Sequence, residues 1–295
     1  MSSKYTVSYA QNREDIILQG FFADYKKKPG FYVDVGAGNP NIDSVTRGFY
    51  EAGWRGINLE PINHIHKALQ EHRSKDINLN VGISNKPGEL NFREYAADGF
   101  STFSKDVQEQ YNADTSGLTE KYQDYVVKVV TLAQVFDEQN ITTIDFLKID
   151  VEGYEYEVIE SNDWNKYRPK VLCIEANHVK RDWRKILKSN RYSLAYFDGL
   201  NEYYIDADNP LSFDYVASVI DREPIVRYDV VTLFDELKIK NQILAQDVAR
   251  QKILLEDFKY HLELAKSKNE ELERISGFAK MKLRKGLSKA RKKDN

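Results

Sequence analysis

Cysteine is nearly absent from this chain. Cys173 is the single cysteine among 295 residues, and it lies in the apolar run Val171-Leu172-Cys173-Ile174. A lone cysteine excludes a disulfide within the chain and a metal site built from clustered thiolates. We expect Cys173 to be a buried structural residue, because a free cysteine usually packs as a small apolar side chain.

Long apolar runs are absent as well. No stretch reaches the length of about 18 consecutive apolar residues that a membrane-spanning helix needs, so none is expected. The first residues, MSSKYTVSYAQ, lack the apolar core of a secretory signal. These two absences predict a cytoplasmic protein.

An excess of positive charge is missing from most of the chain. Residues 233–295 hold 16 Lys and Arg against 10 Asp and Glu, whereas the whole chain holds 43 against 46. The part before residue 233 is therefore acidic. An acidic body argues against an enzyme that acts on nucleic acid, because phosphate binding needs positive charge.

The most informative stretch runs from Phe31 to Pro61. An apolar, β-forming run, Phe31–Val35, is stopped by Gly36-Ala37-Gly38. A helix capped by Asp43 or Ser44 is predicted up to about Ala52, and a second strand, Gly56–Leu59, ends at Glu60-Pro61. Glycines let a backbone approach a ligand closely, and a carboxylate after the neighbouring strand can accept the hydroxyls of a ribose. This unit predicts a site for a nucleoside-containing cofactor.

A third glycine is missing from that turn. A dinucleotide fingerprint has the form G-x-G-x-x-G, and Asn41 stands at its last position. Without that glycine the helix cannot pack closely beneath a pyrophosphate, which favours S-adenosylmethionine, a cofactor without phosphate, over NAD. The predicted cofactor-binding residues from this unit are Asp34, Gly36, Gly38 and Glu60.

Strand and helix patterns alternate along the rest of the body, which predicts a mostly parallel sheet with helices on both faces. Polar residues 96–124 interrupt the pattern and are expected to form a loop or lid with a short helix. Thr131 is expected to cap a helix over Leu132–Gln139. The remaining predicted strands are Ile77–Ile83, Leu90–Tyr95, Val126–Val130, Ile144–Ile149 and Val171–Glu175, followed by an antiparallel hairpin of Tyr192–Phe197 and Tyr203–Ile205. Ligands of such sheets bind beyond the carboxyl ends of the strands, where Ser84 is predicted to lie near an adenine.

The chain resembles the FkbM-type family of S-adenosylmethionine-dependent methyltransferases. The matching stretches, in the family's order, are SYAQNRED, VDVGAGNP, GWRGINLEP, GFSTFS, VVTLAQVFDEQNITTIDFLKIDVEGYEYEVIE, VLCIEAN and FDGLNEYYI. The resemblance covers roughly residues 8–205. It implies a class I methyltransferase, Rossmann-like fold with a mostly parallel seven-stranded sheet and a terminal antiparallel hairpin. It also adds Gln11 to the cofactor site and implies O-methylation, commonly of a sugar hydroxyl. Gly38-Asn39-Pro40 departs from the common pattern and is expected to reshape the turn.

Several side chains that follow the later strands are candidates for the chemistry. A sugar hydroxyl is a poor nucleophile, so a base or a metal should help to remove its proton. The catalytic candidates are Asp150, Glu152 and His178, with Glu175 nearby. Asp150 and Glu152 could share a divalent cation such as Mg²⁺ through oxygen ligands. The alternative is that Asp150 or Glu152 caps the helix that starts near Gly153, and that His178 is a solvated loop residue.

The chain changes character near Leu233. Apolar residues recur there at alternating spacings of three and four from Phe234 to Leu272, which predicts a coiled coil over 233–274 and a homo-oligomer. The alternative is one amphipathic helix on the body.

The basic segment 275–295 resembles a short membrane-surface helix that contacts anionic lipid. Such a contact would place the protein at the inner membrane face. The alternative is a solvated tail. The predicted units are a methyltransferase domain over 1–225, the coiled coil and the tail.

The predicted function is methylation of a sugar hydroxyl in a surface polysaccharide or glycan, or in its lipid-linked precursor. Two alternatives stay open. One is a natural-product O-methyltransferase, for which the tail has no obvious purpose. The other is a catalytically silent, methyltransferase-like scaffold that assembles through its coiled coil. Nucleic acid is not an expected partner.

Overall fold

The structure is a computed structural model that describes residues 5–22, 24–213 and 225–290. Its strands are β1 (Thr6–Ser8), β2 (Phe31–Val35), β3 (Arg55–Leu59), β4 (Ile77–Leu79), β5 (Gly82–Ile83), β6 (Gly88–Tyr95), β7 (Tyr122–Val130), β8 (Phe146–Ile149), β9 (Val171–Glu175), β10 (Tyr192–Phe197), β11 (Asn201–Asp206) and β12 (Ile225–Arg227). Its helices are α1 (Glu14–Phe21), α2 (Arg47–Glu51), α3 (Asn63–His72), α4 (Lys105–Asn112), α5 (Leu132–Glu138), α6 (Glu155–Glu160), α7 (Arg184–Ser189) and α8 (Tyr228–Ala290).

The central element is a seven-stranded sheet in the order β10-β11-β9-β8-β2-β3-β4. The five strands from β9 to β4 are parallel, and the β10–β11 hairpin pairs antiparallel with β9. The fold is thus the α/β, methyltransferase-like fold expected from the sequence, with the hairpin at one edge. Parallel strands end at the same edge of the sheet, so the segments after β2, β3, β8 and β9 come together there.

A second sheet was not predicted. It has three strands in the order β5-β7-β6. The run Ile77–Ile83, predicted as one strand, is divided between β4 in the large sheet and β5 in the small one. The polar segment 96–124 contains the expected short helix, α4, and also the first residues of β7, which were not predicted.

Helix caps show where local sequence rules hold. Thr131 and Gln134 form a reciprocal capping box at the start of α5, as expected. The prediction that Asp43 or Ser44 caps the first crossover helix is wrong, since α2 begins only after Thr46. Ser44 instead accepts a hydrogen bond from Arg73, and Asp43 adopts a positive φ. A tertiary contact therefore competes for the Ser44 side chain.

The core lies on both faces of the large sheet, because neighbouring side chains of a strand point to opposite faces. Val33 packs with aliphatic residues of β3, β8 and β9 on one face. Tyr32 packs on the other face with Phe49, Trp54 and Phe146. Cys173 is buried in this aromatic cluster, at 1% exposure, in keeping with its expected structural role.

The chain divides into two compact units, Met1–Val231 and Thr232–Asn295. In the second unit α8 continues to Ala290 without a break at residue 275, where the predicted coiled coil gives way to the basic segment. Residues 291–295, and the side chains at 272, 273, 275, 277–280 and 282–290, lie outside the described part, so most of the predicted membrane-contacting segment does too. Among the described residues, no helix is long and apolar enough to cross a membrane.

Candidate functional site

A cavity of about 820 Å³ lies in the first unit, at the carboxyl edge of the large sheet. Its lining comes from the segments after β2, β3, β8 and β9, together with the small sheet and α4. The predicted site residues on its wall are Gln11, Gly36, Gly38, Glu60, Asp150, Glu152 and His178, joined by Glu175. A cavity of this size matches the volume range of small-molecule sites, about 300–1,000 Å³.

The turn after β2 needs its two glycines for different reasons. Gly36 and Gly38 have φ values of +72° and +63°. A Cβ on Gly36 would lie 1.9 Å from the backbone oxygen of Asp150, whereas a Cβ on Gly38 would meet no atom of the described residues within 4 Å. Gly36 therefore allows the ends of β2 and β8 to meet, and Gly38 leaves open space at the cavity.

Glu60 joins the end of β3 to this turn. Its Oε2 accepts a hydrogen bond from the Gly38 amide at 2.9 Å, and its Oε1 accepts one from the Ile62 amide at 2.8 Å. Burial raises the pKa of Glu60 to about 7, although these two amides favour the ionised form. Each carboxylate oxygen keeps a second lone pair, so Glu60 can still accept hydrogen bonds from a ligand in the cavity.

Asp34 lies behind the turn. Its carboxylate accepts a hydrogen bond from Thr46 Oγ1 at 3.0 Å and lies 3.2 Å from the ammonium nitrogen of Lys148. Lys148 also donates to the carbonyl of Gly36 at 2.7 Å. Asp34 is absent from the cavity wall, so it can act on a ligand only through these neighbours.

Lys148 is a residue of the cavity wall that was not predicted from the sequence. It lies on the cavity wall, 3.4 Å from Asp150 Oδ2, and it is the cross-strand partner of Asp34. Burial alone would lower the pKa of Lys148, but the carboxylates of Asp34 and Asp150 outweigh it, so this pKa is raised and the side chain stays charged. The signal was a single lysine inside an otherwise apolar, buried strand.

Three carboxylates meet where β8 and β9 end. Oxygen atoms of Asp150, Glu152 and Glu175 all lie within 4.8 Å of one another. Burial, together with the charges of Asp150 and Glu152, raises the pKa of Glu175 to about 11. Neither Asp150 nor Glu152 caps α6, because Glu155 accepts the Val151 and Gly153 amides instead. The capping alternative for the two residues is therefore wrong.

His178 lies beside this carboxylate group. The hydroxyl of Tyr111 is 3.1 Å from Glu152 Oε2 and 3.1 Å from Nε2 of His178. The hydrogen bond to Glu152 raises the pKa of His178, against the opposing effect of burial. The alternative of a solvated loop histidine is wrong, since the His178 side chain is 20% exposed and has two partners.

The segment between β6 and β7 forms part of the wall. Thr102 is fully buried and donates from Oγ1 to the carbonyl of Glu152 at 2.7 Å. Tyr111, on α4, comes from the same segment and was not predicted as a site residue. Ser84 is not on the wall; its hydroxyl lies 3.1 Å from that of Tyr154, so its predicted contact with a cofactor has no support in the geometry.

Residues 34–194, more than half of the chain, match the family model described as "Methyltransferase FkbM domain". No curated protein matches the chain. Among solved structures it is similar to a candidate RNA methyltransferase from Pyrococcus horikoshii, with 10% identity, a TM-score of 0.34, and coverage of 66% of this chain and 82% of that chain. It is also similar to the methyltransferase domain of METTL16, with 13% identity, a TM-score of 0.32, and coverage of 65% and 64%. Likenesses at these TM-scores carry no argument about what this chain methylates.

Proposed function

The chain belongs to the FkbM methyltransferase family, and on that basis we propose that it transfers the methyl group of S-adenosylmethionine to a hydroxyl group of a sugar. The observation that carries the proposal is the composition of one cavity. Its wall holds the glycine turn with Glu60, and also the carboxylates with His178. The first group suits a nucleoside with an amino-acid end, and the second suits a hydroxyl that must lose a proton.

The residues fit the cofactor that the family implies. Glu60 would accept hydrogen bonds from the two ribose hydroxyls, because its buried carboxylate is already oriented by two amides. The open space at Gly38 admits a ligand close to the backbone. Gln11 also lies on the wall and would contribute a polar contact. When bound, the cofactor supplies an electrophilic methyl group.

Proton removal falls to His178 in this proposal. Since Nε2 of His178 is engaged with Tyr111 and Glu152, Nδ1 is the nitrogen that would accept the proton of the sugar hydroxyl. The hydroxyl oxygen would bond to the methyl carbon as the bond from that carbon to sulfur breaks. Positioning by the cavity wall would supply much of the acceleration, because the methyl donor is intrinsically reactive.

A transfer assay tests the proposal. The full chain is incubated with methyl-labelled S-adenosylmethionine and a panel of free glycans, nucleotide sugars, lipid-linked sugars and hydroxyl-bearing small molecules that contain no sugar. We expect label in a sugar, in a methyl ether that resists alkaline hydrolysis. Label only in non-sugar small molecules would indicate the natural-product alternative. A chain that binds no S-adenosylmethionine by calorimetry would be the silent scaffold instead.

The affinity for S-adenosylmethionine should depend on pH through Glu60. Ribose hydroxyls donate to the ionised carboxylate, and the pKa of Glu60 is about 7 in the folded protein. The carboxylate is ionised above that pH and protonated below it, so affinity should fall as the pH drops. One pH unit below the pKa, binding should be about tenfold weaker than its plateau.

Calorimetry between pH 5.5 and pH 8.5 measures this effect. Glu60→Gln is the reference, because an amide cannot titrate: its binding should be weak throughout and flatter with pH. A wild-type affinity that changes no more than that of Glu60→Gln would contradict the role of Glu60.

We also propose that the second unit self-associates through a coiled coil. The seam of α8 carries exposed apolar residues, including Leu244 at 61% and Leu255 at 53%. An isolated helix would leave this row of apolar side chains exposed to water, which is unfavourable. Because the row has heptad spacing, a second copy of the same helix can cover it. The basic end of α8 would add contact with anionic lipid, which stays a prediction.

Substitution on the seam tests self-association. Leu244→Glu places a charge on the seam and should shift the full chain towards monomer in analytical ultracentrifugation. Ile239→Glu is the matched control, because Ile239 is 56% exposed on the same helix but lies off the seam. Equal sedimentation of both variants and the wild type would exclude the coiled coil.

A further inference from the structure

The carboxylates of Asp150, Glu152 and Glu175 form an unusual arrangement for side chains of one charge. Their oxygens converge within 4.8 Å at the cavity wall, and Glu175 is 6% exposed. Like charges at this separation repel strongly when water is scarce. The arrangement therefore requires positive charge or protons nearby.

The neighbouring cations do not balance these carboxylates. Lys148 lies 3.4 Å from Asp150, but it also pairs with buried Asp34 and donates to the Gly36 carbonyl. His178 lies 3.5 Å from Glu152 and is charged only when protonated. Neither accounts for Glu175.

One oxygen of Glu175 has no hydrogen-bond partner among the described residues. Asn177 donates from Nδ2 to Oε1 of Glu175 at 3.0 Å and so holds the carboxyl group in place. Oε2 is buried and unpartnered, although it belongs to a residue on the cavity wall. A buried acceptor without a partner is destabilising, so it needs an explanation such as a bound ion, a water molecule or a proton.

We propose that Asp150, Glu152 and Glu175 bind a divalent cation that prefers oxygen ligands. Opposite ligands are about 4.2 Å apart around Mg²⁺ and about 4.9 Å apart around Ca²⁺, given their usual bond lengths. Two ligands of one ion lie no further apart than an opposite pair, and the three carboxylate oxygens lie within 4.8 Å of one another, so they could share one cation of this kind. The cation takes Oε2 of Glu175 as a ligand and relieves the repulsion among the carboxylates.

The site also defines how an acceptor would be held. A bound cation keeps open positions for water or for two neighbouring hydroxyl groups of a sugar, next to His178. This consequence rests on the proposed sugar methylation, whereas cation binding itself does not. Coordination would lower the pKa of the bound hydroxyl, and His178 would then receive its proton.

Direct titration tests the site without any methyl transfer. The full chain, freed of metal with EDTA, is titrated with MnCl₂ and with CaCl₂ in a calorimeter, and Mn²⁺ binding is followed by electron paramagnetic resonance. We expect a single site in the wild type. Glu175→Gln and Glu152→Gln should each weaken cation binding by more than about tenfold. Loss of a residue that only supports a metal ligand can already cost that much, so loss of a ligand should cost more. Glu109→Gln, which removes an exposed carboxylate of α4, should bind like the wild type.

The alternative is a proton shared between Glu175 and Asp150. It predicts no cation binding by the wild type at millimolar concentrations, and that result would overturn the proposal. A folded Glu175→Gln variant that binds Mn²⁺ as tightly as the wild type would overturn it equally. If Glu175→Gln does not fold, Glu152→Gln decides. Calorimetry with S-adenosylmethionine on the same metal-free protein separates the cation site from the proposed methyl transfer. If the protein binds the cofactor but no cation, only the cation site is refuted.

Discussion

Gly36→Ala should lower the free energy of unfolding by about 3 kcal/mol or more. This loss lies at the upper end of the range that is usual when extra atoms are inserted into a well-packed site. The new Cβ would lie 1.9 Å from the backbone oxygen of Asp150, which no side-chain rotation can relieve. The ends of β2 and β8 would have to separate, and the cavity wall would be disrupted with them. Chemical denaturation followed by circular dichroism measures the loss, and calorimetry should show no cofactor binding.

Gly38→Ala is the matched control for this prediction. Gly38 has a similar positive φ, but its Cβ would enter open space. The expected cost is only the backbone strain of a left-handed residue, about 1 kcal/mol. Because that open space is part of the proposed cofactor site, affinity for S-adenosylmethionine should still fall. Equal stability losses in the two variants would show that the contact between Gly36 and Asp150 does not hold the sheet together.

His178→Ala should lower kcat by about 100-fold to 10,000-fold, the usual contribution of a general base. The Kd for S-adenosylmethionine should stay the same, because His178 contacts Tyr111 and Glu152 and not the glycine turn. Steady-state kinetics with a sugar that is labelled in the transfer assay gives kcat. Calorimetry gives the Kd.

His72→Ala provides the control, since His72 is an exposed residue at the end of α3. Tyr111→Phe should give a smaller loss than His178→Ala, because it removes only the hydroxyl that orients the imidazole. If His178→Ala kept the kcat of the wild type, His178 would not be the base, and the neighbouring carboxylates would be the remaining candidates.

Most of the large sheet was predictable from local patterns. Apolar runs such as Val171–Glu175, each followed by glycine or polar residues, predict buried parallel strands. The hairpin of β10 and β11 follows from the Asp198-Gly199 turn between two β-forming runs. The small sheet was missed, because β5 is only two residues long and pairs with β7, more than 40 residues further along the chain. Pairing over such a distance leaves no periodic signal in the sequence.

The candidate site was predicted in part. Gly36, Glu60, Asp150, Glu152 and His178 follow strands and could be identified by that position alone, and all of them lie on the cavity wall. Their roles as cofactor or catalytic residues stay predictions. Tyr111 could not be identified, since it belongs to a polar segment that looks like an ordinary surface loop until α4 packs against the carboxylates.

The amino-acid sequence by itself determined most strands of the large sheet, the glycine turn and the family, because these depend on residues close together in the chain. Only the tertiary structure decided that Gly36 must lack a Cβ because Asp150 touches it, that Asp34 lies behind Lys148, and that one oxygen of Glu175 has no partner among the described residues. The physical reason is that burial, hydrogen bonding and charge repulsion depend on distances between atoms on different strands.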